Sequence, residues 1–80
     1  MEKNQILEEV QEIFREVLDE PKLILTEELT AEDVEGWDSL THVQLQVALE
    51  KQFGIKFTAK ESLMWENVGD IVSTIANRIK

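Results

Sequence analysis

The sequence has no cysteine, a single histidine, a single proline, and only 8 lysines and arginines against 17 aspartates and glutamates. Without cysteine there is no disulfide framework and no thiolate metal site. The shortage of basic residues leaves a formal charge of −9. That balance excludes nucleic acid as a partner, because its affinity depends on lysines and arginines neutralising phosphates. It also disfavours an anionic membrane surface and favours basic protein surfaces, reached through long-range attraction that salt weakens. No apolar run approaches the length needed to span a bilayer. The opening residues, MEKNQILEEV, lack the basic start and apolar run of a secretory signal. A soluble, cytoplasmic, monomeric chain without membrane insertion is therefore expected. The acid clusters lack the ordered ligand spacing and central glycine of an EF-hand loop, so no specific metal site is expected. Eighty residues provide for one small domain, 1–80, with one hydrophobic core.

What is present is helical periodicity. Residues 5–19 place Ile6, Leu7, Val10, Ile13, Phe14, Val17 and Leu18 on one stripe, opposite Glu8, Glu9, Glu12 and Glu16. Pro21 marks the end of this helix. A long connection, about residues 20–37, carries Leu23, Ile24, Leu25, Leu29 and Val34, too many apolar residues for a free linker. Within it, Thr30 and Asp33 have the spacing to cap a short turn. A second helix is expected over Asp38–Phe53, closed by Gly54. Thr58 and Glu61 stand at capping-box spacing for a short third helix. A last helix starts near Asn67, with Val68, Ile71, Val72, Ile75, Ala76 and Ile79 on one face. No strand pattern competes. The fold class is all-α: a small four-helix bundle of three longer helices and one short one, with a long first loop.

The second helix has two apolar stripes. At about 100° per residue, Leu45, Leu49 and Phe53 share one side, while Leu40, Val43 and Val47 share roughly the opposite one. A chain this short has too little material to cover both sides, so one stripe belongs to the core and the other is a candidate docking surface. Periodicity alone does not say which.

Ser39 stands where this helix begins, immediately before Leu40. Asp38 or Ser39 could simply cap the helix, since both side chains accept hydrogen bonds from its free N–H groups. A catalytic nucleophile would need a base and an oxyanion site. The one histidine, His42, lies on the side of Leu45 and Leu49, and no glycine-rich elbow surrounds the serine. No catalytic residue is therefore expected, and the chain is not expected to be an enzyme. In a third reading, another enzyme modifies Ser39, whose position would set an attached phosphodiester at the favourable end of the helix dipole.

GWDSL at 36–40, followed by VQLQVALEKQFGIKF at 43–57, resembles the acyl carrier proteins. The likeness runs through nearly the whole chain, in length, acidity, helix order and long first loop. It implies that residues 1–80 are a single acyl carrier domain and that Ser39 carries 4′-phosphopantetheine, transferred from coenzyme A by a separate phosphopantetheinyl transferase. Asp38 would assist in presenting the serine. The arm's thiol would hold an acyl or aminoacyl group as a thioester and show it to partner enzymes, an acyl-activating ligase or acyltransferase among them, through their basic surfaces. The implied partner-binding residues are Leu40, Val43, Gln44, Val47 and Lys51. The alternative is a small acidic helical interaction module with Ser39 as a helix cap.

One departure from the resemblance bears on the pathway. Carriers of ordinary fatty-acid synthesis hold acids along the second helix, where this sequence has Thr41, Gln44 and Lys51, with Glu50 the main acid left. A row of partner arginines would find few counter-charges there, which points to a dedicated carrier in a specialised pathway. Trp37 and Trp65 read as core or loop anchors. In a functional reading, Trp65 lines a cleft against the second helix, favouring short or polar cargo, and Trp37 shapes the entrance of the arm.

Overall fold

A computed structural model describes residues 2–79. Four helices follow one another: α1 (Lys3–Leu18), α2 (Ser39–Phe53), α3 (Ala59–Leu63) and α4 (Val68–Arg78). Among the described residues there is no strand. The capping chemistry read in the sequence sets most of the boundaries. Gly54 ends α2 in the left-handed region at φ 65° and ψ 37°, its N–H bonded to the Glu50 carbonyl. Thr58 and Glu61 exchange side chain-to-backbone bonds at the start of α3, and Asn67 accepts from the Asp70 N–H at the start of α4.

The end of α1 differs from expectation. The chain leaves the helix at Asp19, which adopts the left-handed conformation at φ 55°, while the Glu20 N–H reaches back to the Arg15 carbonyl at 3.0 Å. Pro21 comes two residues later and finds the helix already closed. Aspartate tolerates this region better than most residues with a Cβ, which is why it serves here in glycine's usual role.

The core is built from one face of each long helix. Ile6, Val10 and Phe14 of α1 meet Leu45 and Leu49 of α2 and Val68, Ile71, Val72 and Ile75 of α4, all essentially without exposed surface. Removing each such side chain from water contributes about 1.5–3 kcal/mol. α1 packs against both α2 and α4. Leu25, Val34 and Trp37 bring the long connection into the same core, and Phe57 does so for the segment before α3.

The connection between α1 and α2 is tied as well as packed. Gln11 accepts the Leu25 N–H at 2.8 Å, and Arg15 Nε donates to the Leu23 carbonyl at 2.7 Å, so two side chains one turn apart on α1 hold one stretch of the loop. At the other end, the Val68 and Gly69 N–H groups of α4 donate to the Leu29 and Glu27 carbonyls, each at 2.9 Å. Free donors at a helix start are thus satisfied by the loop backbone. Gly69 eases this approach: a Cβ there would lie 3.2 Å from both the Glu27 backbone oxygen and its Cβ, so the loop would have to give by a few tenths of an ångström. Thr30 and Asp33 close a single turn, with the Thr30 N–H on the Asp33 carboxylate at 3.1 Å. Ile24 is the exception to the packed-loop expectation: it points outward and is 70% exposed. Its neighbours Leu23 and Leu25 take the inward positions, which leaves Ile24 on the other side of an extended stretch.

Candidate functional site

The start of α2 is assembled by a short local network. Gly36 stands at φ 89°, a conformation open to glycine and strained for other residues, and turns the chain so that Trp37 enters the core while Asp38 and Ser39 stay outside. Asp38 is the helix cap. Its Oδ1 accepts the Leu40 N–H at 3.0 Å and the Thr41 N–H at 2.9 Å. The Thr41 hydroxyl accepts the Asp38 N–H at 2.8 Å and donates to the Gly36 carbonyl at 2.7 Å. The backbone bond from Thr41 is the largest influence on Asp38, holding its carboxyl below the usual carboxylate range; desolvation, next in size, opposes it, and the Thr41 side chain and the Leu40 N–H lower it further.

Ser39, the first residue of α2, is exposed, and among the described residues its side chain has no hydrogen-bond partner. Of the two capping candidates, Asp38 or Ser39, the structure has Asp38: its oxygen occupies the two N–H groups a cap would take, which disfavours the alternative with Ser39 as cap. It also qualifies the dipole argument, because an anion on Ser39 would meet an Asp38 carboxylate seated on those same donors. The serine is a free hydroxyl projecting from a rigid element.

Both stripes of α2 are accounted for. Leu45 and Leu49 are buried and Phe53 is partly so, whereas Leu40 is 69% and Val43 57% exposed. Gln44, Val47 and Lys51 are exposed as well, continuing the same side down the helix. The one acid of α2, Glu50, is turned to the Phe57 N–H at 2.8 Å, so it serves the fold and not the outer surface.

Between α2 and α3 lies an open groove of about 470 Å³, bordered by Ser39 itself and by Asp38, His42, Val43, Ser62 and Trp65. Its floor is polar and aromatic. Trp37 Nε1 donates to His42 Nδ1 at 3.1 Å, and His42 Nε2 sits 3.0 Å from the Ser62 hydroxyl oxygen and 3.1 Å from the Ser62 carbonyl. Trp65 packs on Phe57 and beside His42, and its indole N–H donates to the Thr74 hydroxyl at 3.0 Å. Trp65 thus stands where the sequence reading placed it. Trp37 does not shape an entrance; it is buried with its ring edge against Phe14, and it reaches the groove only through His42. Sequence reasoning missed Ser62 altogether, along with Leu63 and Met64, two exposed apolar residues at the end of α3. Nothing in a five-residue helix announces which of its positions face inward.

The mouth of the groove thus holds an exposed serine hydroxyl at the start of a helix capped by its neighbour. A family model described as "Phosphopantetheine attachment site" matches residues 8–75. The chain belongs to the acyl carrier protein family. It is 34% identical to an acyl carrier protein of Thermosynechococcus vestitus over 80 residues, covering 99% of this chain and 98% of that one. It is likewise 34% identical to an acyl carrier protein of Exiguobacterium sibiricum, covering 99% of this chain and 100% of the relative. The solution structure of a holo acyl carrier protein from Geobacter metallireducens superposes with a TM-score of 0.86 at 38% identity, over 92% of this chain and 85% of that one. The prosthetic group of this carrier is 4′-phosphopantetheine, and the site fits it in one respect that geometry decides: a hydroxyl with no competing protein partner at the mouth of a groove. Among the described residues no cluster of three or more acids, histidines or cysteines is placed to hold a metal ion, and no helix is long and apolar enough to cross a membrane.

Proposed function

We propose that Ser39 Oγ is the attachment point of the arm and that this chain presents the carried acyl group to the enzymes that load, alter and unload it. The observation that carries this reading is the contrast between Asp38 and Ser39: the aspartate is committed to the helix, and the serine is left exposed and uncommitted. When bound, the arm supplies a terminal thiol that holds an acyl or aminoacyl group as a thioester.

Attachment forms a bond from Ser39 Oγ to the phosphorus bearing the pantetheine and breaks the pyrophosphate bond of coenzyme A, releasing its nucleotide half. The hydroxyl proton must go to a base. Asp38 is a poor one, because its carboxylate already accepts two backbone N–H groups and its proton affinity is reduced. The phosphopantetheinyl transferase therefore supplies the base, and Asp38 contributes by fixing the helix start that presents the serine. Leu40, Val43, Gln44, Val47 and Lys51 form the partner-binding side. With Glu50 turned inward, that side offers apolar contact and little negative charge. It suits partners that bind α2 through apolar surface better than ones that reach it with rows of arginines, and so supports a carrier serving a dedicated ligase or acyltransferase.

The test is intact mass after incubation with coenzyme A and a broad-specificity phosphopantetheinyl transferase. One added phosphopantetheine on the wild type and none on Ser39→Ala is expected. The variant should unfold within about 0.5 kcal/mol of the wild type, since it loses no hydrogen bond. An equal gain on the variant, or none on a folded wild type, overturns the assignment.

A further inference from the structure

The acids of this chain thin out where α2 begins. Residues 39–60 hold one acid, Glu50, and three lysines, against 17 acidic and 8 basic residues in the whole sequence. Glu50 is engaged by the fold, accepting the Phe57 N–H at 2.8 Å. Lys51 and Lys56 are exposed, and among the described residues neither pairs with a carboxylate. The ion pairs there join Arg15 to Glu12 and Arg78 to Glu61. In a chain so rich in acids, two lysines left unpaired beside one another are the less expected arrangement.

Both lysines border an open depression of about 380 Å³ at the end of α2, whose apolar lining comes from Val47 and Ile55. Gly54 keeps it wide, since a Cβ added there would have no atom within 4 Å. Leu40, Val43, Val47 and Lys51 follow one another at helical spacing, so the depression is the far end of the exposed apolar stripe. Ser39 and Lys51 are about 18 Å apart along the helix. Against the two lysine charges stand the Glu50 carboxylate and about half a negative charge from the helix end. The balance at this corner stays positive, opposite to that of the chain as a whole. Salt screens distant acids more than groups in contact, so a partner touching the corner meets the lysines first.

Resting on the reading of α2 as the partner side, we propose that this corner receives a carboxylate-bearing surface of the partner protein. An apolar side chain of that partner fills the depression, flanked by aspartate or glutamate facing Lys51 and Lys56. At the other end of α2 the same partner meets Asp38, where a basic group suits it. Opposite charges about 18 Å apart set the direction in which a partner lies along the helix, with its active-site entrance at Ser39. Docking in the reverse direction brings like charges together, and a partner basic throughout meets two lysines. A second copy of this chain is a poor occupant, because two bodies of charge −9 repel each other. Two lysines are also too few to hold a nucleic acid or an anionic membrane against that charge.

The experiment uses the apo wild type and the double variant Lys51→Glu with Lys56→Glu, so it does not depend on whether Ser39 is armed. The probes are three synthetic helical peptides with the same apolar stripe, ending in two glutamates, two glutamines or two lysines. Nitrogen–proton spectra at low salt give both the affinity and the place of binding. The wild type should bind the glutamate-ended peptide about fivefold more tightly than the glutamine-ended one, and the lysine-ended one most weakly. The Val47, Lys51, Ile55 and Lys56 amides should shift. The double variant, shown to be folded by the same spectra, should reverse the order. A wild type that prefers the lysine-ended peptide is following its net charge, and that result overturns the proposal. So does an order unchanged in the double variant, no binding of any peptide at millimolar concentration, or sedimentation showing that the chain pairs with itself through this corner. Shifts confined to α1 would overturn it and also remove α2 as the partner side, whereas arming at Ser39 is read separately by mass.

Discussion

Trp37 and His42 lie with their rings within 6° of parallel, joined edge to edge by the Nε1–Nδ1 bond of 3.1 Å. The bond crosses from the loop before α2 into its first turn, so it fixes the loop and the helix start together. Trp37→Phe keeps a ring in the core but removes the donor. His42 Nδ1 is then left half-buried without a partner, and a cost of about 1–2 kcal/mol in urea unfolding is expected. A variant as stable as the wild type would mean that the bond contributes nothing net.

Gly36 supplies the turn that separates the buried Trp37 from the exposed Asp38. At φ 89°, a Cβ is strained even though the space around it is adequate, the nearest atom being Leu18 Cδ2 at 3.8 Å. Gly36→Ala should therefore lose about 1–3 kcal/mol through backbone strain and not through a clash. Because the strain is relieved by shifting Trp37 and Asp38, its rate of modification at Ser39 should fall as well. Unchanged stability in thermal melts would show that the turn has an easy alternative.

How far these features could be read without the fold depended on distance along the chain. The limits of α2 were legible because Asp38 and Gly54 act on their immediate neighbours, and the two-sided pattern of α2 was legible because helical geometry repeats it. Asp19 was overlooked because a proline nearby offered a stronger local signal. The Ser62 contact was hidden for another reason: it joins residues 20 apart, and a serine in a five-residue helix looks the same whether it faces water or a histidine. Asp38 was read as a cap alternative to Ser39, and only the observed bonds decide between two adjacent oxygens that are both suited to the task.

Asp38 makes a specific contribution to the dependence of stability on pH. Its carboxyl has a lower proton affinity in the folded chain than in the unfolded one. The stabilisation it provides is therefore complete above the ordinary carboxylate range and is lost as the pH falls through the lowered folded value. Glu61 acts in the same direction, its carboxyl held low chiefly by the Thr58 backbone N–H, so the profile of the wild type alone does not isolate Asp38. The comparison that isolates the cap is Asp38→Asn. The melting temperature of the wild type should exceed that of the variant at neutral pH, and the gap should narrow through and below the carboxylate range. A gap that stays constant down to strongly acidic pH would assign the difference to something other than the charge.

The acids of α1 lead to the last prediction. Glu8, Glu9, Glu12 and Glu16 surround an open depression on the side of α1 away from the core, with Gln52 of α2 at its edge. Their compensation is thin: Arg15 pairs with Glu12 at 3.0 Å, and the Gln52 amide donates to Glu9 at 2.7 Å. Exposed pairs of this kind contribute at most about 1 kcal/mol, so repulsion along the helix is largely uncompensated. No three of these carboxylates converge as metal ligands. Added ions should therefore act by screening, which is diffuse and nearly indifferent to the size of the cation. Sodium chloride should raise the melting temperature gradually, and magnesium and calcium should give one common curve without saturating at micromolar concentration. A saturable rise with calcium alone would instead require an ordered site, and the carboxylates of α1 would have to move to make it.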